Sequence, residues 1–234
     1  MNIYAISDEH LSFHSDLEKP MDIFGESWEN HAENLKKNWE EIVSDEDYVL
    51  MPGDISWGLK LEEAIPDLEW IHNLPGHKII SKGNHDLWWG RIKYINTLYD
   101  DITFLQNTCY YIKEKNIAIT ATRGWPYPGF DNSDEHDEKI YKRELQRLKL
   151  GLDSAVKQEP NAKIVVALHY PPSDESGKKT EFTTMLEEYG VKKCVYGHLH
   201  GSLAFSLGIK GNVRGVEYSL VSLDYLGTKP KLIY

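Results

Sequence analysis

Lys78-Ile79-Ile80-Ser81-Lys82-Gly83-Asn84-His85-Asp86 is the stretch that decides the reading. It opens on a short apolar, β-branched run, the mark of a buried strand. A glycine follows, then an amide, an imidazole and a carboxylate, three side chains with lone pairs suited to a metal ion. The same two-part unit recurs along the chain. Ile3-Tyr4-Ala5-Ile6 leads into Asp8-Glu9-His10, and Tyr48-Val49-Leu50-Met51 into Gly53-Asp54. Further on, Ile164-Val165-Val166-Ala167-Leu168 leads into His169, and Lys193-Cys194-Val195-Tyr196 into Gly197-His198-Leu199-His200. Each polar block falls at the C-terminal end of a predicted strand, the edge at which open α/β sheets collect their ligands. Asp8 with His10, and His198 with His200, are spaced so that in an extended backbone both members of a pair point to the same side. Singly these fragments are commonplace; in this order they read as a two-metal hydrolytic site.

Amphipathic segments alternate with the strands, which is the pattern of an α/β protein. Trp28, Ala32, Leu35, Trp39, Ile42 and Val43 recur at helical spacing and predict a helix from Trp28 to Val43 with Ser27 as its N-cap. A second helix holds Leu61, Ala64, Ile65, Leu68 and Ile71, with Pro66 near its first turn or at a kink. Arg91 to Tyr99 is a third candidate, and Ile117-Ala118-Ile119-Thr120 a further strand. Asp134 to Lys157 is predicted as a long helix with Tyr141, Leu145, Leu148, Leu152 and Ala155 facing inward and its charges solvated. Glu181 to Tyr189 reads as a short helix, and the tail from Val213 onward as hairpin strands. Pro171 to Gly177 carries turn residues and reads as a loop.

The chain of 234 residues has no linker, repeat or low-complexity segment, so one domain over residues 1–234 is expected. Hydrophobic residues at 41% and charged residues at 27% place it among ordinary globular proteins. No apolar run approaches the roughly 20 residues of a membrane span, and the N-terminal residues read as a strand rather than a cleavable signal. A cytoplasmic protein without membrane association is the default expectation. Cys109 and Cys194 lie far apart in apolar stretches, and both read as buried thiols without a disulfide. The formal net charge of -11 argues against stable nucleic-acid binding, which needs clustered Lys and Arg.

With its blocks DxH, GD, GNHD, H and GHxH in order, the chain resembles the calcineurin-like metallophosphoesterase superfamily from Asp8 to His200. The resemblance implies a four-layer α/β/β/α sandwich. It implies that Asp8, His10 and His200 hold one metal, that Asn84, His169 and His198 hold the other, and that Asp54 bridges both. His85, not a ligand, would face the scissile phosphate, with Asp86 a candidate to orient its ring. Imidazole, carboxylate and amide donors suit two divalent or mixed-valence ions of Mn, Fe, Zn or Co over Ca or Mg. Thiolates are absent from the blocks, which sets aside a structural zinc site. The implied reaction is attack of metal-bound hydroxide on a phosphomonoester or phosphodiester, with His85 steadying the transition state or protonating the leaving oxygen. A small phosphorylated substrate is expected, a nucleotide among the candidates.

Departures narrow the family member. Protein phosphatases of the superfamily carry GDxxDRG, whereas Gly53-Asp54 continues Ile55-Ser56-Trp57-Gly58-Leu59, without the second Asp or the Arg. Lipid A pathway hydrolases have Arg where His85 stands. Class III cyclic-nucleotide phosphodiesterases share every block, as do many small phosphohydrolases, so monoester against diester stays open. A non-catalytic scaffold on the same fold is disfavoured by the full ligand set and intact His85, and a nuclease by the acidic charge. Arg123, Trp125 and Tyr127, in the run Arg123 to Phe130, form either a substrate wall or a packed loop, and Trp88, Trp89 and Arg91 carry the same ambiguity. His14 lines the mouth or lies at the surface, and His31, His72, His77 and His136 read as structural or exposed.

Overall fold

Strands that are apolar at every position must be covered on both faces, and that requirement builds this molecule. The computed structural model describes residues 1–17, 19–128 and 134–234. Its first part runs β1 (Ile3–Ala5), α1 (His31–Ile42), β2 (Tyr48–Met51), α2 (Leu61–His72), β3 (His77–Ser81), α3 (Ile92–Ile95) and β4 (Ile102–Leu105). The remainder runs β5 (Cys109–Ile112), β6 (Ile117–Thr122), α4 (Glu135–Gln158), β7 (Lys163–Leu168), α5 (Glu181–Glu188), β8 (Lys193–Tyr196), α6 (Gly201–Ala204), β9 (Gly211–Val213), β10 (Val216–Leu220) and β11 (Lys231–Leu232). Two sheets result, in strand order β11-β1-β2-β3-β4 and β5-β6-β7-β8-β10-β9. The inner pairs are parallel; β11, β5 and β9 add antiparallel edges.

Alternation along the strands sorts side chains into three apolar layers. Val49, Met51 and Ile80 pack with Leu35 and Trp39 of α1 and Leu68 and Ile71 of α2 on one outer face. Ile164, Val166 and Leu168 pack with Leu148 and Leu152 of α4 and Phe182 of α5 on the other. Ile3, Ala5, Leu50 and Ile79 of the first sheet meet Ile119, Val165, Ala167 and Val195 of the second between them. The architecture is therefore the four-layer α/β/β/α sandwich expected. Each fully buried Ile, Leu or Val contributes roughly 1.5–3 kcal/mol. The sheets are also stitched by backbone: the Ser7 amide donates to Val221 O at 2.9 Å and the Leu223 amide to Ser7 O at 2.8 Å, while the Val221 amide stays tied to its own sheet through Tyr196 O at 2.8 Å. Among the described residues no helix is long and apolar enough to cross a membrane.

Several local expectations are corrected. α1 begins at His31, because Asn30 adopts a left-handed conformation (φ 49°) and Ser27 and Trp28 belong to a preceding 3₁₀ turn, Glu26–Trp28. The Arg91–Tyr99 helix shrinks to the single turn of α3, where the Asn96 side chain accepts from the Phe104 amide at 2.8 Å and donates to Phe104 O at 3.0 Å. Asp134 does cap α4, accepting from the His136 and Asp137 amides. One charge of that helix is not solvated: Glu144 is buried, accepting from Thr122 Oγ1 at 2.5 Å and Arg147 Nη1 at 2.7 Å. Cys194 is a buried free thiol, but Cys109, at a sheet edge, is only half-buried. The tail forms a hairpin, β9 with β10, before β11 returns to the first sheet.

Candidate metal centre

All seven proposed ligands lie on loops that leave the C-terminal ends of strands, four from the first sheet and three from the second. The local backbone is not the extended one expected from the spacing. Asp8 (φ 66°), His10 (φ 47°), Asp54 (φ 57°) and His198 (φ 72°) all occupy the left-handed region. Asp and His tolerate that region better than bulky residues, but each still costs on the order of 1–3 kcal/mol, and such strain concentrates at functional sites. Neighbouring loops hold it in place. The Asp8 amide donates to Gly53 O and the His10 amide to Asp54 O, both at 3.0 Å. The Asp8 carboxylate accepts from the His198 amide at 3.0 Å and from the Ser7 hydroxyl. Gly197 is required by this close approach: a Cβ there would lie 1.9 Å from Ser7 Oγ and 2.3 Å from Asp8 Oδ2.

The donors converge in two groups. Asp8, His10 and His200 each offer an atom within 4.8 Å of the others, as do Asp8, Asp54 and His169. Asn84 joins the second group, its Oδ1 lying 2.7 Å from His169 Nε2 and 3.0 Å from His198 Nδ1. Asp54 Oδ2 stands between the groups, 3.3 Å from His169 Nε2 and 3.8 Å from His10 Nε2.

The hydrogen bonds around two rings show what belongs at the centre. His200 Nδ1 is 3.0 Å from Asp224 Oδ1, a pure acceptor, so Nδ1 carries the proton. Its Nε2, buried and without a hydrogen bond, then presents a lone pair 3.3 Å from Asp8 Oδ1. His169 is held in a related way, with Nδ1 donating to Pro52 O at 3.0 Å and Nε2 facing two oxygens, Asn84 Oδ1 at 2.7 Å and Asp54 Oδ2 at 3.3 Å. Lone pair against lone pair is favourable only with positive charge between: a second proton on each ring, or a metal ion. The titration tendencies express the same demand. Burial works against a charged imidazole, yet Asp224 and Asp8 raise His200 to about 10, and the Asp54 carboxylate raises His169. Burial would raise Asp54, but the His169 ring brings it down to about 2. His10 and His198, where burial prevails, fall to about 4 and about 3 and stay neutral, the form in which imidazole binds metal. Nitrogen and oxygen donors without thiolate fit Mn, Fe, Zn or Co.

His85 is exposed beside this centre, its amide donating to Asp54 Oδ1 at 2.7 Å and its ring 4.5 Å from the Trp57 ring. Asp86 does not orient that ring. Its buried carboxylate instead accepts from the Asp54, Ile55, Ser56 and Gly83 amides and from Trp88 Nε1, tying two ligand loops together. Arg123 is engaged in packing, its guanidinium 4.4 Å from the Trp125 ring and 3.9 Å from Glu144; Gly129 and Phe130 lie outside the described residues. Trp88 and Trp89 pack on Phe104. His14 does not line the cavity at the site; His77 and His136 are exposed, and His72 pairs with Asp101. Sequence reasoning missed Asp224, although it too follows shortly after a strand. It also assigned no role to Glu9, the middle residue of the first block. Glu9 is fully buried with neither carboxylate oxygen hydrogen-bonded, and burial together with Asp8, Asp86 and Asp54 pushes its carboxyl well above the usual range.

A sandwich of this kind, with its donor cluster at the shared strand edge, has the layout of a metallophosphoesterase. A family model described as calcineurin-like phosphoesterase matches residues 1–202, and the chain belongs to that family. The gene 66 protein of Mycobacterium phage D29 is 31% identical over 110 residues, 41% of this chain and 53% of the phage protein. This chain thus spans about half the length of the first curated relative it matches. An uncharacterized protein of Methanocaldococcus jannaschii is 31% identical over 137 residues, 58% of this chain and 72% of that one. Phosphopantetheinyl hydrolase from Mycobacterium tuberculosis shares the fold, with a TM-score of 0.59 and 15% identity over 99% of this chain and 95% of its own.

Proposed function

We propose that this chain is a phosphohydrolase that takes two transition-metal ions, of Mn, Fe, Zn or Co, and cleaves a phosphomonoester or phosphodiester of a small molecule. The observation that carries the reading is that two buried ring nitrogens, on imidazoles whose Nδ1 protons already have acceptors, face oxygens: His200 Nε2 faces Asp8 Oδ1, and His169 Nε2 faces Asp54 Oδ2 and Asn84 Oδ1. Asp8, His10 and His200 would hold one ion, Asn84, His169 and His198 the other, with Asp54 shared. Such ions, when bound, neutralise phosphoryl oxygens and acidify water. The remaining work falls to the chain. Asp224 and the Pro52 carbonyl fix the ring orientations of His200 and His169. Trp57, stacked on His10 with centroids 4.8 Å apart, shields that ring from water. His85, on the open side, is the group placed to steady the reacting phosphoryl group or pass a proton to the leaving oxygen.

The test measures metal content and the hydrolysis of an aryl phosphate and a bis-aryl phosphate in parallel. Asp54→Asn should lose metal and turnover together. His85→Ala should keep its metal and lose turnover by about 10²–10⁴-fold. Turnover retained in both variants would end the assignment.

A further inference from the structure

The centre opens onto a cavity of about 330 Å³ whose walls differ in kind from its floor. His10, His85 and His200 make the floor; Met21, Phe24, Trp28 and Trp57 make the walls. The indoles are fixed against the floor itself. Trp28, only 4% exposed, has its ring 5.9 Å from that of His10 and 5.3 Å from that of His200. Trp57 stacks on His10, leans on His85 and donates from Nε1 to Met21 Sδ at 3.3 Å. Phe24, by contrast, is 63% exposed at the mouth. None of the described residues lining the cavity is a lysine or an arginine. Lys19, outside the lining, sits over the Trp57 ring with Nζ 5.6 Å from its centroid. Asp224 is also a lining residue, its carboxylate buried against His200 Nδ1 and the Gly201 amide.

From this we infer the substrate class: a phosphoester whose organic half is an uncharged, flat, apolar group of aryl type, lodged between Trp28, Trp57 and Phe24 while the phosphoryl group faces the histidines. The inference rests on the phosphohydrolase reading above and deepens it. A second phosphate in this space would find no lysine or arginine in the lining, with the buried Asp224 carboxylate adding negative charge nearby. A sugar would place several hydroxyls against indole, phenyl and thioether, with the Ser27 hydroxyl as a wall partner. A peptide or nucleic-acid strand exceeds the volume, which is near the lower end of the ~300–1,000 Å³ of small-molecule sites. An aromatic ring matches on each count: it fits within the volume, carries no charge and gains edge and face contacts with the three aromatics.

The experiment compares benzylphosphonate with methylphosphonate, non-hydrolysable ligands with the same anionic head, titrated calorimetrically into metal-loaded protein. Benzylphosphonate should bind at least about tenfold more tightly, and Phe24→Ala should bring the ratio down to about two- or threefold. Phe24 is exposed, so its loss does not threaten the fold, and a thermal melt of the variant checks this. Equal affinity of the two phosphonates, or a ratio untouched in Phe24→Ala, overturns the inference. Hydrolysis of benzyl phosphate and ethyl phosphate, whose leaving groups are both primary alkoxides, is measured alongside. Hydrolysis of both esters with equal phosphonate affinities refutes the aryl cavity alone. A benzyl preference in binding with hydrolysis of neither ester supports the cavity and refutes the phosphohydrolase reading.

Discussion

Asp86→Asn tests how the ligand loops are held. The Asp86 carboxylate is fully buried and receives two donors on Oδ2, the amides of Asp54 at 2.8 Å and Gly83 at 2.7 Å. Oδ1 receives three, Ile55 N at 2.9 Å, Ser56 N at 3.3 Å and Trp88 Nε1 at 3.0 Å. Asparagine preserves the shape but turns one of these oxygens into an NH₂, so at least two N–H groups face a donor. A buried donor left unmatched costs about 1–3 kcal/mol, which gives roughly 2–6 kcal/mol against a domain stability of about 5–15 kcal/mol. Urea unfolding should be followed near pH 8, because burial and the Asp54 carboxylate push Asp86 up to about 6 and the wild-type group is ionised there. With a slope of about 2–3 kcal/mol per molar, the midpoint should fall by about 0.7–3 M. Metal content should fall with it, since Asp86 holds the Asp54 amide directly. A stability change within about 0.5 kcal/mol, the range of an ordinary surface substitution, would refute the reasoning.

Gly197→Ala should displace Asp8, lowering metal content and stability, the latter by about 1–3 kcal/mol; a normal melt with full metal loading would contradict the close approach described. Asp224→Asn should weaken metal binding by about 10–100-fold in a chelator competition, because the His200 tautomer loses its anchor, and unchanged affinity would count against it. Asp47 accepts from the Asn2 amide at 2.5 Å and the Ser44 amide at 2.9 Å, and although burial opposes ionisation these bonds hold its carboxyl below the ordinary 3.8. Its contribution is therefore complete above the ordinary value and lost as pH falls through the lower folded one. Urea midpoints of wild type and Asp47→Asn should differ by a constant amount above about pH 5 and converge below about pH 4, and a gap that persists into stronger acid would disprove the linkage.

The strands that lead into candidate ligands were legible because each must be apolar on both faces and each ends at a polar block; β1, β2, β3, β7 and β8 announce themselves this way. β4 and β5 carry no such block, and a connection of three residues, Gln106 to Thr108, takes the chain from one sheet to the other between them. The left-handed placement of Asp8, His10 and His198 was hidden for a different reason. Period-two reasoning presumes a strand, and these residues lie just beyond one, where contacts with Gly53, Asp54 and Asp8 set the backbone. Glu144 shows the limit of reading by residue type: three residues after Tyr141 and four before Leu148, it falls beside the inward stripe by spacing, and its charge is buried against Thr122 and Arg147. The wall from Met21 to Trp28 has no regular period at all, being two 3₁₀ turns, so the aromatic cavity emerges only when Trp57 arrives from another loop.

The division of the donors between the two sheets has a mechanical meaning. Asp8, His10, Asp54 and Asn84 hang from one layer, His169, His198 and His200 from the other, and sliding either by a single residue, about 3.3 Å, would pull the set apart. A cation seated among them would be held by both layers at once, so its concentration would become a variable in how firmly the slabs are clasped. A hundredfold excess over its dissociation constant would add about 2.7 kcal/mol to that grip, and chelation would withdraw it.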